Sequence, residues 1–220
     1  MKNIKLWLTA LSVVVLSGCV TPIPLEEQTP NPNVTREDKI VISVLDNRTR
    51  VTEEEKAKTF VGVAHGSFGI PVDWHVNNVL ATQQGDDKRN LAQFIEHRLT
   101  NGFKESGWDA VEAGVETISS PEEAKALIES NQAGKLLIIN IKEWYFSINL
   151  NWVSAFNFDT DSLVSVYELH DGKLVEKHFK DRDVIEESAS ESPQNNVLRA
   201  YRDQLIEMIT DPEIQAALEK

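Results

Sequence analysis

Cysteine is almost missing from this chain. Cys19 is the only one in 220 residues, so no disulfide forms within the chain and a fold must hold by packing alone. Basic charge is scarce as well: 22 Lys and Arg stand against 35 Asp and Glu, a formal net charge of -13. That sign argues against nucleic acid or an anionic lipid headgroup as the main partner, since both require neutralisation by Lys and Arg. Residues 6–16 (LWLTALSVVVL) form an apolar run too short to span a bilayer as a stable helix.

Motifs that carry chemistry are lacking too. His65, His75, His97, His170 and His178 are scattered, and His97 follows Glu96 with no second His four residues on, so there is no zincin motif. Asp159-Thr160-Asp161-Ser162 imitates the start of an EF-hand loop, but Val164 stands at its sixth position and His170 at its twelfth. His65-Gly66-Ser67-Phe68-Gly69 is not a nucleophile elbow, because the residue two before Ser67 is His65 rather than Gly. The acids from Asp181 to Glu191 read as a solvated loop. The expectation is therefore no catalytic residue, no metal, no cofactor and no enzyme.

What the chain does have begins at its N-terminus. Lys2 and Lys5 precede the apolar run, and small residues then lead to Leu16-Ser17-Gly18-Cys19. This stretch resembles a bacterial lipobox. The resemblance implies that residues 1–18 are a lipoprotein signal peptide cleaved between Gly18 and Cys19, and that Cys19 becomes a diacylglyceryl cysteine whose new amine takes a further acyl chain such as palmitate. Two or three chains, at about 0.8 kcal/mol per buried methylene, hold a protein stably to a membrane. Position 20 is Val, not the Asp that in Gram-negative lipoproteins resembles an inner-membrane retention signal, so the expected location is the outer membrane with the domain facing the periplasm. Residues 20–38 carry Pro22, Pro24, Pro30 and Pro32 with no apolar periodicity. They read, with the lipidated Cys19, as a Pro-rich tether that could extend on the order of 60 Å as polyproline II.

Residues 39–220 read as one domain. Lys39–Leu45 is a β-branched buried strand, Asp46–Arg50 a turn, and Phe60–Ala64 a second short strand. From Asp87 to Ser106, Leu91, Phe94, Ile95, Leu99 and Phe103 recur at helical spacing, with Lys88, Arg89, Glu96, Arg98 and Lys104 assigned to the solvent side. A strand over Trp108–Val111 follows, then a helix opened by Ser120-Pro121 and running to Gly134. Lys135–Ile141 is a buried strand. After it Trp144, Phe146, Ile148, Leu150 and Trp152 alternate with Tyr145, Ser147, Asn149 and Asn151. Asp171-Gly172 marks a two-residue hairpin turn between Ser162–His170 and Lys173–Lys180, so these strands read as a meander. Helices opened by Ser192-Pro193 and Asp211-Pro212 finish the chain. The expected class is α+β: two layers, a mixed or mainly antiparallel sheet, helices packed on one face.

The lipobox, the strand followed by Asp46-x-Arg48, the helix NLAQFIEHRLTNGFKESGW, the run KLLIINIKEWYFSINLNW, the hairpin VYELHDGKLVEKHF and the terminal RDQLIEMITDPEIQAAL are together similar to the YajG type of bacterial outer-membrane lipoprotein. The resemblance implies an α+β domain with no assigned activity. The segment from Val51 to Gly85 departs from that pattern. Trp144 and Trp152 share the parity of Phe146 and Ile148, which makes them core residues rather than a sugar platform. The polar parity, Tyr145, Ser147, Asn149 and Asn151, is the candidate partner surface. The leading expectation is a non-enzymatic binding or assembly accessory that meets an envelope protein or glycan. The alternative is a hydrolase acting on peptidoglycan or another glycan, since separation of two acids in space is unreadable from sequence.

Overall fold

The structure is a computed structural model and describes residues 21–150, 155–186 and 191–220. In chain order its strands are β1 (Lys39–Asp46), β2 (Phe60–His65), β3 (Pro71–His75), β4 (Asp109–Glu112), β5 (Lys135–Asn149), β6 (Ala155–Glu168) and β7 (Gly172–Glu186). The helices long enough to pack are α1 (Leu91–Glu105), α2 (Pro121–Ser130), α3 (Pro193–Thr210) and α4 (Pro212–Glu219). The class is α+β, with an open mixed sheet of 7 strands.

β5 is the spine of that sheet. One of its edges is paired antiparallel with β6 along nearly its whole length. The other edge is shared in succession by two parallel strands: β1 lies beside Lys135–Ile141, and β2 beside Phe146–Asn149. A bulge between Ile141 and Glu143 separates the two halves. A bulge adds one residue and so reverses which parity faces the core. Before it Leu137, Ile139 and Ile141 point into the main core; after it Trp144, Phe146 and Ile148 do. The buried run and the alternating run read from the sequence are thus one strand. β5, β6 and β7 form the expected meander, whereas β1 pairs parallel with both β4 and β5, which requires crossovers.

The main core lies between the sheet and α1, α3 and α4. The opposite face is covered over its first half by α2, whose Ala124 and Ile128 meet Val41, Leu45, Leu136, Ile138 and Tyr167. Helix ends follow the expected chemistry. Ser120, Ser192 and Asp211 each accept backbone N–H groups of the first turn, with Pro next in line. α2 ends at Ser130 rather than Gly134, and β7 continues through Asp181–Glu186, so those acids are strand residues and not a loop. The β6–β7 register joins Glu168 to Gly172, leaving a three-residue turn with Gly172 at φ 72. This replaces the expected two-residue turn.

α1 begins at Asn90, whose side chain accepts the Gln93 N–H in a capping box, so the helix starts later than Asp87. Its polar side differs from expectation. Glu96 and Arg98 are buried, because α1 is enclosed by more than the sheet. Glu96 accepts N–H groups of Val44 and Gly114, each at 2.9 Å, and ties the helix to β1 and to the chain after β4. Arg98 donates to the fully buried Asp86 at 2.6 Å and to Gln28 at 3.1 Å.

Gln28 belongs to the segment expected to be a free tether. Residues 21–38 lie instead against the domain. Ile23 and Val34 are buried in the main core, the Ile23 N–H donates to Asn195 Oδ1 at 3.2 Å, and Asn195 Nδ2 donates to the Thr21 carbonyl at 3.0 Å. Trp108 Nε1 donates to the Val34 carbonyl at 2.8 Å, and Arg36 donates to the Leu218 and Glu219 carbonyls at the end of α4. An irregular strap without periodicity can dock this way because bonds run in both directions across the contact, and its prolines add no N–H that would need satisfying.

Two outcomes follow. A Cβ on Gly102 of α1 would sit 1.9 Å from the Pro30 carbonyl oxygen. With a free tether, Gly102→Ala would stabilise the helix by up to about 1 kcal/mol; with the docked strap it should lower the thermal midpoint, and a rise would show that the strap is not seated there. The second concerns acid. Burial alone would raise the Asp86 carboxyl, but the Arg98 guanidinium and the N–H groups of Gln83 and Thr82 outweigh it and hold the carboxyl below its ordinary 3.8. A carboxyl depressed in the folded state stabilises the fold at every pH above its unfolded value and loses that contribution as pH falls through its folded value. Asp86→Asn should therefore be destabilised at neutral pH, and the gap to the wild type should close below about pH 4, read by denaturant midpoints across pH.

Candidate partner-binding face

The place where β1 hands the edge of β5 to β2 is filled by one side chain. Arg48 is fully buried. Its Nε and Nη2 each reach a different oxygen of Asp46 at 2.8 Å, a two-pronged pair, and Nη1 donates to the Phe60 carbonyl at 2.7 Å and the Trp144 carbonyl at 3.4 Å. A planar guanidinium can bond a carboxylate and two carbonyls together, whereas an ammonium cannot match that fork. Arg48 thus joins the end of β1, the start of β2 and the bulged part of β5. The side chain of Asn47 continues the seam by donating to Asn140 at 2.8 Å.

Two residues on, Arg50 emerges on the face opposite the main core. Its guanidinium lies 4.4 Å from the centre of the Tyr145 ring and pairs with Glu143 at 2.5 Å, while the Phe60 ring stacks beside Tyr145 at 6.2 Å. The same guanidinium lies 5.9 Å from the Phe60 ring centre, so it bridges the two stacked rings. Further along β5 the half-buried Ser147 hydroxyl is 3.2 Å from His65 Nε2. Asn149 stands exposed opposite His65 in the β2 register. Asn151 lies outside the described residues, as do Cys19 and Trp152. So Tyr145, Ser147 and Asn149 do share one face, the part of it that α2 leaves uncovered, and Trp144, Phe146 and Ile148 are buried behind it.

The face extends onto β6 and β7, where Tyr145 opposes Asp159 and Asp159 opposes Arg182. Asp159 pairs with Arg182 at 2.6 Å, and Asp161 with His178 at 2.8 Å and Lys180 at 3.0 Å. Glu143, Asp159, Asp161, Lys180 and Arg182 border an open depression of about 530 Å³. Burial would raise the Asp161 carboxyl, but His178 and Lys180 hold it below the ordinary range. The acids that imitate an EF-hand start are thus alternate residues of a strand, engaged by cations. Among the described residues no group of three or more His, Cys, Asp or Glu side chains could hold a metal ion. His97 pairs with Glu112 at 2.6 Å on the other side of the sheet edge. Arg50 was not singled out from the sequence, Arg48 figured only in the Asp46-x-Arg48 pattern, and His65 only as a scattered histidine in a glycine-flanked loop. A cationic Arg48-Thr49-Arg50 directly after a strand was the available signal, but the carbonyls and ring it serves are 10 to 96 residues away.

No family model and no curated protein matches the chain. Among solved structures, a Xanthomonas campestris protein of the DUF330 family is similar at 11% identity over 91% of this chain and 95% of its own, with a TM-score of 0.45. The PelC dodecamer protein of Paraburkholderia phytofirmans is similar at 14% identity over 83% and 95%, with 0.39. Lipoprotein GNA1162 of Neisseria meningitidis is similar at 10% identity over 79% and 98%, with 0.36. At these values no residue role carries over to this chain. No helix among the described residues is long and apolar enough to cross a membrane.

The two arginines make a contrast that can be measured. Arg48→Met leaves Asp46 and two buried carbonyls without their donor and should cost about 3 to 5 kcal/mol in denaturant unfolding. Arg50→Met, at a partly exposed pair and ring, should cost about 1 kcal/mol or less. Equal costs would show that Arg48 is not the buried join described here.

Proposed function

We propose that this is a lipid-anchored outer-membrane lipoprotein of the YajG type, a non-enzymatic binding or assembly accessory whose domain faces the periplasm. The anchor is Cys19, supported by the charged start, the apolar run and Leu16-Ser17-Gly18-Cys19; Val20 supports the outer membrane. The partner meets the face of Tyr145, Ser147, Asn149 and Asn151.

One observation carries the binding reading: the Arg50 guanidinium lies over the stacked rings of Tyr145 and Phe60, 4.4 and 5.9 Å from their centres, on a sheet face that no helix of the main core or α2 occupies. A side chain ordered before binding loses little entropy on contact. Tyr and Arg are also the residues that most often dominate protein interfaces, whereas the surrounding acid–base pairs supply register. An envelope protein therefore suits the face better than a glycan, which would need an aromatic ring lying open rather than one covered by a guanidinium.

The test uses the full chain in cells. Cys19→Ser should abolish fatty-acid labelling and release the protein from the membrane fraction. A photo-crosslinking residue at Ser147 should trap a discrete protein adduct that the same residue at Asp171 does not. Adducts of equal pattern from both positions, or a Cys19→Ser variant that still carries label, would sink the respective half of the proposal.

A further inference from the structure

The lipoprotein reading fixes an anchor, and the structure adds which end of the domain that anchor reaches. β5 ends at Asn149, β2 ends at His65, β3 starts at Pro71, β6 starts at Ala155 and β7 ends at Glu186. Their registers bring all of these termini to one end of the sheet. α3 starts at that same end, since Asn196 and Arg199 of its first turns line one cavity with Asp183, Ile185 and Glu186. Thr21 is bonded there through Asn195. Only Val20 separates Cys19 from Thr21, a span of at most about 7 Å of extended chain. The docked strap thus places the acyl chains beside this end of the domain instead of a tether's length away.

The same end holds every large apolar side chain that is exposed among the described residues: Phe68 at 100%, Val184 at 66%, Ile70 at 61%, Val72 at 51% and Leu150 at 41%. Phe68 and Ile70 come from the β2–β3 turn, and Val72 from the start of β3; in the turn the Gly66 N–H donates to the Ile70 carbonyl at 2.9 Å and the Gly69 N–H to the Gly66 carbonyl at 3.0 Å. Phe68 sits in that turn at φ 62, a conformation non-glycine residues rarely adopt, with its ring wholly in solvent. Residues 66–72 (GSFGIPV) carry no charge in a chain that is 26% charged. A strained, uncharged, outward-pointing aromatic gains nothing from water, but it gains from a lipid interface, where aromatic rings settle at headgroup level.

We infer that the β2–β3 turn, through Phe68 and Ile70, is a second membrane contact that dips into the interfacial region of the anchoring leaflet beside the acyl chains. The inference rests on the Cys19 anchor. The surface suits zwitterionic rather than anionic headgroups, because the chain's net charge of -13 opposes the latter. With the anchor and the turn both engaged, the strands stand away from the membrane, and the Tyr145 face opens sideways into the periplasm.

Once Cys19 is acylated the chain has no free thiol, so single cysteines report single positions. The mature lipidated protein, reconstituted in vesicles of phosphatidylethanolamine and phosphatidylcholine, would be labelled with a polarity-sensitive fluorophore at Phe68→Cys, Ile70→Cys or, at the opposite end of the sheet, Asp171→Cys. All three should float with the vesicles. The labels at 68 and 70 should shift to the blue and be quenched by a spin-labelled lipid, with the label at 171 unchanged. Flotation with an unshifted, unquenched label at both 68 and 70 would overturn the contact and leave the anchor standing. A blue shift that lipid quencher does not touch would mean that a second copy or another protein covers the turn, and would also overturn it. Failure to float would remove the anchor and this inference together.

Discussion

Everything in the sheet depends on one buried charge pair. β5 is too long to be matched by either of its parallel neighbours, so β1 and β2 divide its edge, and the gap between them exposes carbonyls that neither strand can satisfy. The Arg48 guanidinium occupies that gap, neutralised by Asp46 and donating to the carbonyls of Phe60 and Trp144. A buried ion pair is a poor source of net stability compared with packed hydrocarbon. Its role here is to determine which strand follows which. Without Arg48 the start of β2 has no polar reason to sit beside the bulge of β5, and Phe60 would lose the position from which it supports Tyr145.

The bulge and the arginine solve the same geometric problem from two sides. A continuous strand of fifteen residues twists along its length, and the extra residue near Lys142 resets the pleat so that Trp144, Phe146 and Ile148 continue the core begun by Leu137, Ile139 and Ile141. The aromatic cluster behind the candidate face follows from that reset. Trp144 meets Phe158 and Tyr201 edge-on at 5.3 and 5.2 Å, and Phe146 meets Trp74 at 5.5 Å. Trp74 comes from β3, so the segment from Val51 to Gly85, which looked like a departure from the family pattern, is structural: Phe60, Val61, Ala64, Trp74, Val76 and Leu80 are all buried.

The sequence made local periodicity legible and long-range enclosure illegible. The apolar stripe of α1, the Ser-Pro and Asp-Pro helix starts and the alternation from Trp144 to Ile148 are each written within a few residues and match the structure as to type, whereas Leu150, read on the core parity, lies exposed just past the end of β5. The fates of Glu96 and Arg98 were not legible, because a charged residue on the far side of an amphipathic helix is solvated unless something else covers it; here Glu96 is met by β1 and the chain after β4, and Arg98 by Asp86 and by a strap about 70 residues earlier in the chain. The strap itself has no period to detect, since its two core residues, Ile23 and Val34, are separated by prolines and polar residues. The candidate face shows the same division. The shared parity of Tyr145, Ser147 and Asn149 follows from strand geometry, but Arg50 and His65, which fix two of those side chains, come from other strands and turns.

Docking of the strap changes what tethering means for this domain. A free Pro-rich linker would set an effective concentration near the membrane and leave orientation random. A strap joined to the domain by Asn195 at Thr21, Arg98 at Gln28, Trp108 at Val34 and its own Arg36 at the end of α4 lacks that rotational freedom. The prolines help, because a chain already restricted at φ has less entropy to lose when it docks. A domain held to a membrane through such a strap would act only on what comes within reach of one fixed face. The Tyr145 face suits that restriction. Its paired charges are arranged in registered rows across β5, β6 and β7. A partner that met these rows would have to match their charges in register.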